Sequence, residues 1–312
     1  MASNGTPTDG ASRERAAEAS VSHASPATRG GRPRSVPWAL FAGSLLLYLL
    51  NGYVLPVNDS LPNLYMPVSL LTWGTPTVEP LAFPSLFFWG LLRPEGEQSV
   101  LILDWRQKIG PFSAGELYRQ GVLVPRSPMY SFVQTTSPGR CVGIYGPGAG
   151  LFALPVYASI ALFVDHLDER RWWIFYGGKF AAAALAAGSV VFVYLASLLL
   201  ASRTSSVLVA LTYGAGTCLW SEGSQALWQQ TAALFFVAWG ALLLLRGIGD
   251  CRAGFLCGLV IGTAAFCRPT CLLLLMAAFL SIATSRRKML PRNRRGPPGS
   301  RWRRKTRISS RS

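Results

Sequence analysis

The chain has 312 residues, half of them apolar, and only 14% of them are charged, whereas about a quarter of the residues in a typical globular domain are charged. This composition favours an integral membrane protein over a soluble one. The net charge of +16 does not indicate a nucleic-acid-binding protein, because 12 Lys and Arg residues and no acid fall in 285–312, which leaves +4 for the other 284 residues.

The N-terminal segment 1–35 consists mainly of Ala, Ser, Gly, Pro, Thr and Arg. It contains too few apolar residues to form a core, which predicts a disordered tail. Its arginines place this tail in the cytoplasm according to the positive-inside rule. The apolar stretch 36–55 (VPWALFAGSLLLYLLNGYVL) follows, and its length predicts a first membrane-spanning helix.

A long segment rich in Pro and Gly comes next, and we predict that about 56–176 forms a large first extracytoplasmic loop. A loop of this length needs structure of its own. The apolar stretch 81–92 is interrupted by Pro84 and is too short to cross a bilayer, which predicts a helix in the membrane interface. We predict the same for 149–164, whereas 99–105 (SVLILDW) has the composition of a short strand.

The remaining apolar stretches predict further spans. The last of them, 253–284, has 32 residues and would be roughly 48 Å long as one helix, against a hydrocarbon core of about 30 Å. Arg268 and Pro269 divide it into two short helices, because a charge at the bilayer centre is costly and proline interrupts a helix. The sequence therefore predicts an all-α integral membrane protein with about six transmembrane helices: 36–55, 177–201, 205–221, 228–246, 253–267 and 270–284.

The predicted topology places three polar features on the extracytoplasmic side: Asp59, the turn 220–230 (WSEGSQALWQQ) and Arg268. A carboxylate near the membrane can act as a general base on a hydroxyl or an amine. A guanidinium at the same depth can bind a lipid phosphate and stabilise the charge that this phosphate gains as a leaving group. The combination predicts a reaction on a lipid-borne anionic substrate.

The stretch NDSLPNLYMPVSLL (58–71) resembles the acidic motif that follows the first membrane helix in GT-C glycosyltransferases, a superfamily of polytopic membrane enzymes. Its members include the protein O-mannosyltransferases and the aminoarabinose transferase of lipid A. The motif resembles the version found in a bacterial subgroup. Asp59, Pro62, Tyr65 and Pro67 match its Asp-Thr/Ser-x-Pro-x-x-Tyr-x-Pro pattern.

Three later stretches are similar to other parts of the same superfamily, and in the same order. They are IYGPGAGLFALPVYA (144–158), similar to a Tyr-Pro-Pro-Gly stretch that opens a surface helix, SEGSQALWQQTAALFF (221–236) and FCRPTCLL (266–273). Two positions depart from the pattern. Ser60 follows Asp59 where many members have a second acid, and Gly146 stands at the position of the first proline.

The resemblance implies that 36–284 is a GT-C-like transmembrane domain that transfers a sugar from a polyprenyl-phosphate donor to an extracytoplasmic glycan, lipid or protein. It implies Asp59 as the catalytic base and Arg268 as the ligand of the donor phosphate. Glu222, Gln225 and Tyr65 are further candidates for substrate binding. We expect no metal site and no cofactor, because the six cysteines form no CxxC pair, no histidine lies at ligand spacing and no other ligands cluster.

The expected location is the inner membrane of a bacterium, with the N-terminus in the cytoplasm, the lipid bilayer as a partner and no nucleic acid bound. GT-C enzymes usually have more than six spans, whereas here the apolar pattern stops at Thr284 and a basic, disordered tail (285–312) is predicted. This contrast leaves open a truncated or frame-shifted product, which would be a catalytically inactive fragment. A membrane transporter is a less favoured alternative, since no acid lies inside a predicted span and no repeat is visible.

Overall fold

The computed structural model describes residues 35–52, 54, 57–137, 139–247, 251–274, 276–277 and 280. By its internal contacts the chain divides into two units, 1–36 and 37–312, and nearly all the described residues belong to the second. The predicted disordered tails lie outside the described residues apart from Ser35, and so does part of the predicted span 270–284.

Most of the described chain is helical. Its α-helices, in chain order, are α1 (Ser35–Leu50), α2 (Leu61–Trp73), α3 (Ala114–Arg119), α4 (Gly148–Ala161), α5 (Arg171–Ser197), α6 (Arg203–Ala215), α7 (Gln229–Arg246) and α8 (Cys251–Cys267). Two predicted spans are longer than the helices that form there. The helix predicted for 36–55 ends at Leu50, and the one predicted for 205–221 ends at Ala215, after which the chain makes a π-helical turn (Leu219–Gly223).

The first loop contains β-structure, which corrects the all-α prediction. Its strands are β1 (Phe87–Arg93), β2 (Gly96–Leu101), β3 (Lys108–Ile109), β4 (Phe112–Ser113), β5 (Leu123–Pro128), β6 (Phe132–Gln134) and β7 (Cys141–Gly143). They form three antiparallel sheets with the orders β2-β1-β5, β3-β4 and β6-β7. The loop is therefore a small folded subdomain, and the predicted strand in 99–105 corresponds to the end of β2.

The interfacial helix predicted for 81–92 is wrong. This stretch forms a 3₁₀ turn, Pro84–Leu86, and then β1, the central strand of the largest sheet. Phe87 and Trp89 are buried and Phe88 between them is exposed, which is the two-residue period of a strand. Strands on both sides of β1 pair with its backbone groups, so this apolar stretch is part of a sheet and not a helix.

The helices pack closely where one of them presents a small residue. A Cβ atom built on Gly188 of α5 would lie 2.6 Å from the ring of Phe235 of α7. One built on Gly240 of α7 would lie 2.5 Å from the side chain of Ile261 of α8. Small residues let helix backbones approach each other, as they do at helix contacts in membranes.

Among the residues that the structure describes, two helices are long and apolar enough to cross a membrane, judged by length and composition alone: α5 and α7. Helices α1, α4 and α8 are apolar but shorter. Helix α4 has 14 residues, or about 21 Å, which is less than a hydrocarbon core of about 30 Å. The structure thus gives a mostly helical protein with two candidate spans, and it does not show the predicted number of about six.

A buried hydrogen bond connects α1 to α6. The Tyr48 hydroxyl donates to the Gly214 carbonyl at 2.9 Å, and this carbonyl belongs to the last turn of α6, where carbonyls lack partners within the helix. We expect Tyr48→Phe to lower the free energy of unfolding by about 1 kcal/mol. Thermal unfolding in detergent, followed by circular dichroism, measures this loss. The matched control is Tyr176→Phe, because the Tyr176 side chain is exposed; an equal loss in both variants would contradict the prediction.

Candidate functional site

Asp59 lies in a 3₁₀ turn, Asn58–Ser60, that leads directly into α2. Ser60 closes this turn, since both its backbone N–H and its hydroxyl donate to the Val57 carbonyl at 2.8 Å. Pro62 follows in the first turn of α2, where its fixed φ suits the helix. The carboxylate is therefore held at the N-terminal end of a helix, where the helix dipole favours negative charge.

Two tyrosine hydroxyls donate to the same oxygen of this carboxylate. Tyr130 Oη lies 2.5 Å from Asp59 Oδ1, and Tyr145 Oη lies 2.9 Å from it. Asp59 is half-buried between them. Sequence reasoning assigned no partner to Asp59. Tyr145 is part of a stretch that the resemblance singled out, but nothing in the sequence connects Tyr130 to Asp59.

Both tyrosines remain hydroxyl donors at neutral pH. The hydrogen bond to Asp59 raises the pKa of Tyr130, with smaller contributions from burial and from the carboxylate charge. Burial raises the pKa of Tyr145 to about 12, and its hydrogen bond to Asp59 adds to this effect. Each hydroxyl therefore keeps its proton and continues to hold the carboxylate.

The glycine-rich stretch GIYGPGAG (143–150) runs along α2. A Cβ atom built on Gly143 would lie 2.5 Å from the Cβ of Pro62, and one built on Gly150 would lie 3.1 Å from the carbonyl oxygen of Asn63. Distances this short leave little or no room for a side chain. Glycines at both ends of the stretch thus allow it to pack against the helix that begins beside Asp59.

The middle of the same stretch packs against the end of α8. A Cβ atom built on Gly146 would lie 2.6 Å from the Phe266 carbonyl oxygen and 2.8 Å from that of Cys267. A Cβ atom built on Gly148 would lie 2.6 Å from Cys267 Sγ. The residue that follows Cys267 is Arg268, so this stretch connects Asp59, through Tyr145, to the break in the last apolar segment.

Arg268 marks this break as predicted. Its backbone is extended (φ −142°, ψ 108°) between α8 and the 3₁₀ turn Pro269–Cys271, in agreement with the conformation that a residue before proline prefers. Its side chain is exposed and makes no ion pair with any residue that the structure describes. The guanidinium is therefore accessible to an anion from outside the protein.

The structure separates the roles of Glu222 and Gln225. Glu222 is exposed in the π-helical turn. Gln225 is 1% exposed, and its amide nitrogen donates to the Trp220 carbonyl at 3.0 Å and to Ser224 Oγ at 2.8 Å. Gln225 thus holds the turn together and is closed to substrate in this conformation, whereas Glu222 is open to solvent.

The turn that contains these residues is attached to α2. Asn63 donates from its side-chain nitrogen to the Leu227 carbonyl at 3.1 Å. Since Asn63 lies four residues after Asp59, this bond holds the turn against the helix that begins beside Asp59. This bond therefore connects the predicted turn 220–230 to the helix beside Asp59, and the glycine-rich stretch connects Asp59 to the break at Arg268.

Tyr65 lies in the core. It is 2% exposed and makes edge-to-face contacts with Phe83 and Phe175, with ring centroids 5.2 and 6.4 Å away. Its hydroxyl lies 3.4 Å from Ser85 Oγ, and burial raises its pKa. The substrate-binding role expected for Tyr65 does not fit this position, because a residue enclosed in this way packs the loop subdomain against the helices.

A groove of about 840 Å³ lies between the end of α1, α4 and the first half of α5. Apart from Ser159, Lys179 and the Tyr176 hydroxyl, its wall is apolar. The lining residues are Leu49, Gly52, Pro155, Val156, Ser159, Ile160, Phe163, Val164, Trp173, Tyr176, Gly177, Lys179 and Phe180. Its volume is in the range of small-molecule binding sites, about 300–1,000 Å³.

No group of three or more His, Cys, Asp or Glu residues that could hold a metal ion occurs in the described part of the chain. Comparisons with family models, with curated proteins and with solved structures find no match to the chain. The function has to be inferred from the geometry around Asp59.

Proposed function

We propose that the protein is a membrane glycosyltransferase that transfers a sugar from a polyprenyl-phosphate donor to an acceptor outside the cytoplasm. The observation that carries this proposal is the series of contacts from Asp59 through Tyr145 and Gly146 to the residues before Arg268. It joins a carboxylate and an accessible guanidinium through one glycine-rich stretch. In sugar transfer from a lipid phosphate, these two groups can act as the general base and as the ligand of the leaving phosphate.

In the proposed reaction, Asp59 acts as the general base and Arg268 binds the donor phosphate. The acceptor oxygen forms a bond to the anomeric carbon while its proton passes to Asp59. The bond between that carbon and the phosphate oxygen breaks, and polyprenyl phosphate leaves with the electron pair. Arg268 stabilises the charge that the phosphate gains. Tyr145 keeps the carboxylate oriented towards the acceptor.

Exposed apolar surface supports placement in a membrane. Less than half of the most apolar part of α5, and of α7, is buried inside the protein, and Trp38 and Leu50 of α1 are each 73% exposed. Such surface is costly in water and favourable in lipid. We propose the full arrangement of about six spans, with a cytoplasmic N-terminus, in the inner membrane of a bacterium, the setting that the resemblance of 58–71 implies.

The apolar groove supports a lipid-linked donor. Its wall consists mostly of aliphatic and aromatic side chains, which suit a hydrocarbon chain. The groove begins at the end of α1, which precedes the Asp59 turn in the chain. We propose that it holds part of the polyprenyl chain.

The test of this function is transfer of radiolabelled sugar from polyprenyl-phosphate donors in membranes that contain the full chain. Membranes without the protein serve as the control. Transfer above that control, to a glycan, lipid or protein fraction, supports the proposal. A protein that is inserted in the membrane and transfers nothing from a panel of hexosyl and pentosyl donors contradicts it and favours an inactive fragment.

Replacement of Arg268 separates phosphate binding from a general effect of charge. We expect Arg268→Gln to lower kcat/KM for the donor about 100-fold, because the variant lacks the cation that stabilises the leaving phosphate. The matched control is Arg246→Gln, which also removes an exposed arginine at a helix end but lies at the opposite membrane face in the proposed topology. Equal activity in both variants, measured at varied donor concentration, would remove Arg268 from the mechanism.

A further inference from the structure

The two tyrosines on Asp59 differ in how they are held. Tyr145 is half-buried, and the residue after it, Gly146, packs against the end of α8. Tyr130 lies in the turn between β5 and β6 and is 62% exposed. The Tyr130 side chain is therefore largely open to solvent, whereas Tyr145 belongs to a stretch that is packed against α8.

The hydrogen bond from Tyr130 has the geometry of a general base and its substrate. A base must lie within hydrogen-bond distance of the proton that it removes, about 2.6–3.2 Å between heavy atoms. Tyr130 Oη, at 2.5 Å from Asp59 Oδ1, places a hydroxyl slightly closer than this range. An acceptor alcohol that reacts through this oxygen must place its own hydroxyl in the same position.

We propose that Tyr130 occupies the place of the acceptor hydroxyl in the free protein, and that an alcohol displaces it before transfer. The proposal rests on the proposed function and deepens it, because it assigns the acceptor to the alcohols and not to the amines. Asp59 Oδ1 receives two neutral O–H donors. A protonated amine would bring a positive charge to this position and would have to lose a proton before it could react.

Enzyme kinetics distinguish this displacement from a fixed role of Tyr130. The probes are methyl glucoside, a short serine peptide and methylamine, each at varied concentration with one labelled donor. We expect Tyr130→Phe to lower the acceptor KM for an alcohol about five-fold, the factor that corresponds to one net hydrogen bond no longer to be broken. The matched variant Tyr145→Phe is expected to lower kcat instead, because Asp59 loses its fixed partner.

Three results would overturn the proposal. A rise in acceptor KM or a fall in kcat for Tyr130→Phe, as in Tyr145→Phe, would make Tyr130 a positioning residue. An unchanged acceptor KM would mean that the acceptor binds through the other carboxylate oxygen. Transfer to methylamine alone would exclude the alcohols. The glucoside and the serine peptide distinguish a sugar hydroxyl from a side-chain hydroxyl.

A second measurement does not depend on turnover. 3-Fluorotyrosine placed at position 130 of the full chain in lipid vesicles reports displacement by ¹⁹F NMR, and the same label at position 145 is the control. We expect an alcohol acceptor to shift the signal from position 130 saturably and more than that from 145. No such shift at 130 would overturn the displacement. If the ¹⁹F signal at position 130 shifts but the protein transfers no sugar, the proposed function is contradicted, whereas the binding of an alcohol at Asp59 is supported.

Discussion

Asp59→Asn is expected to lower sugar transfer by a factor of about 100 to 10,000, the usual contribution of a general base. The physical reason is the loss of the proton acceptor. The fold should survive, because the asparagine side chain keeps an oxygen that can accept the hydrogen bonds of Tyr130 and Tyr145. The variant therefore removes the chemistry of the carboxylate and preserves its contacts.

The control for this variant is Asp104→Asn. Asp104 belongs to the same loop and also accepts a hydrogen bond through Oδ1, from the Arg106 backbone N–H at 2.9 Å. Transfer of labelled sugar is measured for both variants at equal amounts of inserted protein, and thermal unfolding checks that both are folded. An Asp59→Asn rate within ten-fold of the wild type would exclude Asp59 as the base. An equal loss in both variants would indicate a general effect on the loop.

The helical part of the fold was largely predictable from apolar runs, whereas the loop subdomain was not. The apolar and aromatic stretch 81–92, which includes Phe87, Phe88 and Trp89, is typical of an interfacial helix by composition. The pairing of β1 with β2 and β5 shows that these three residues belong to a strand. These partners come from other parts of the chain, up to 41 residues away in the case of Phe87 and Pro128. Short apolar runs do not reveal such pairing by periodicity alone.

The candidate site was predictable where backbone chemistry fixes it. Arg268 stands before Pro269, which forces extended backbone and ends α8. Asp59 was found by its position after the first apolar helix. Tyr130 was not found, since it meets Asp59 from 71 residues away. The burial of Tyr65 was not predictable either, because a motif position does not show whether a side chain faces the core.

The stretch 143–150 has no charged residue, and its glycines allow it to pack against both α2 and the end of α8 beside the site. Gly146 lies against two carbonyl oxygens of α8, and a Cβ atom there would be 2.6 and 2.8 Å from them. These neighbours are backbone atoms, so they cannot move aside as a flexible side chain does. An added methyl group must therefore shift either α8 or the chain neighbours of Gly146, and one of these neighbours is Tyr145.

We expect Gly146→Ala to lower the free energy of unfolding by about 1–3 kcal/mol, the usual cost of overpacking, and to reduce sugar transfer at least ten-fold because Tyr145 and the Arg268 break separate. The matched control is Gly262→Ala in α8, where a Cβ atom has nothing within 4 Å and alanine favours the helix by about 1 kcal/mol. Thermal unfolding and transfer are measured for both variants. A stable, active Gly146→Ala protein would mean that the contact between this stretch and α8 is not needed, and the site would then have to work without a fixed link between Asp59 and Arg268.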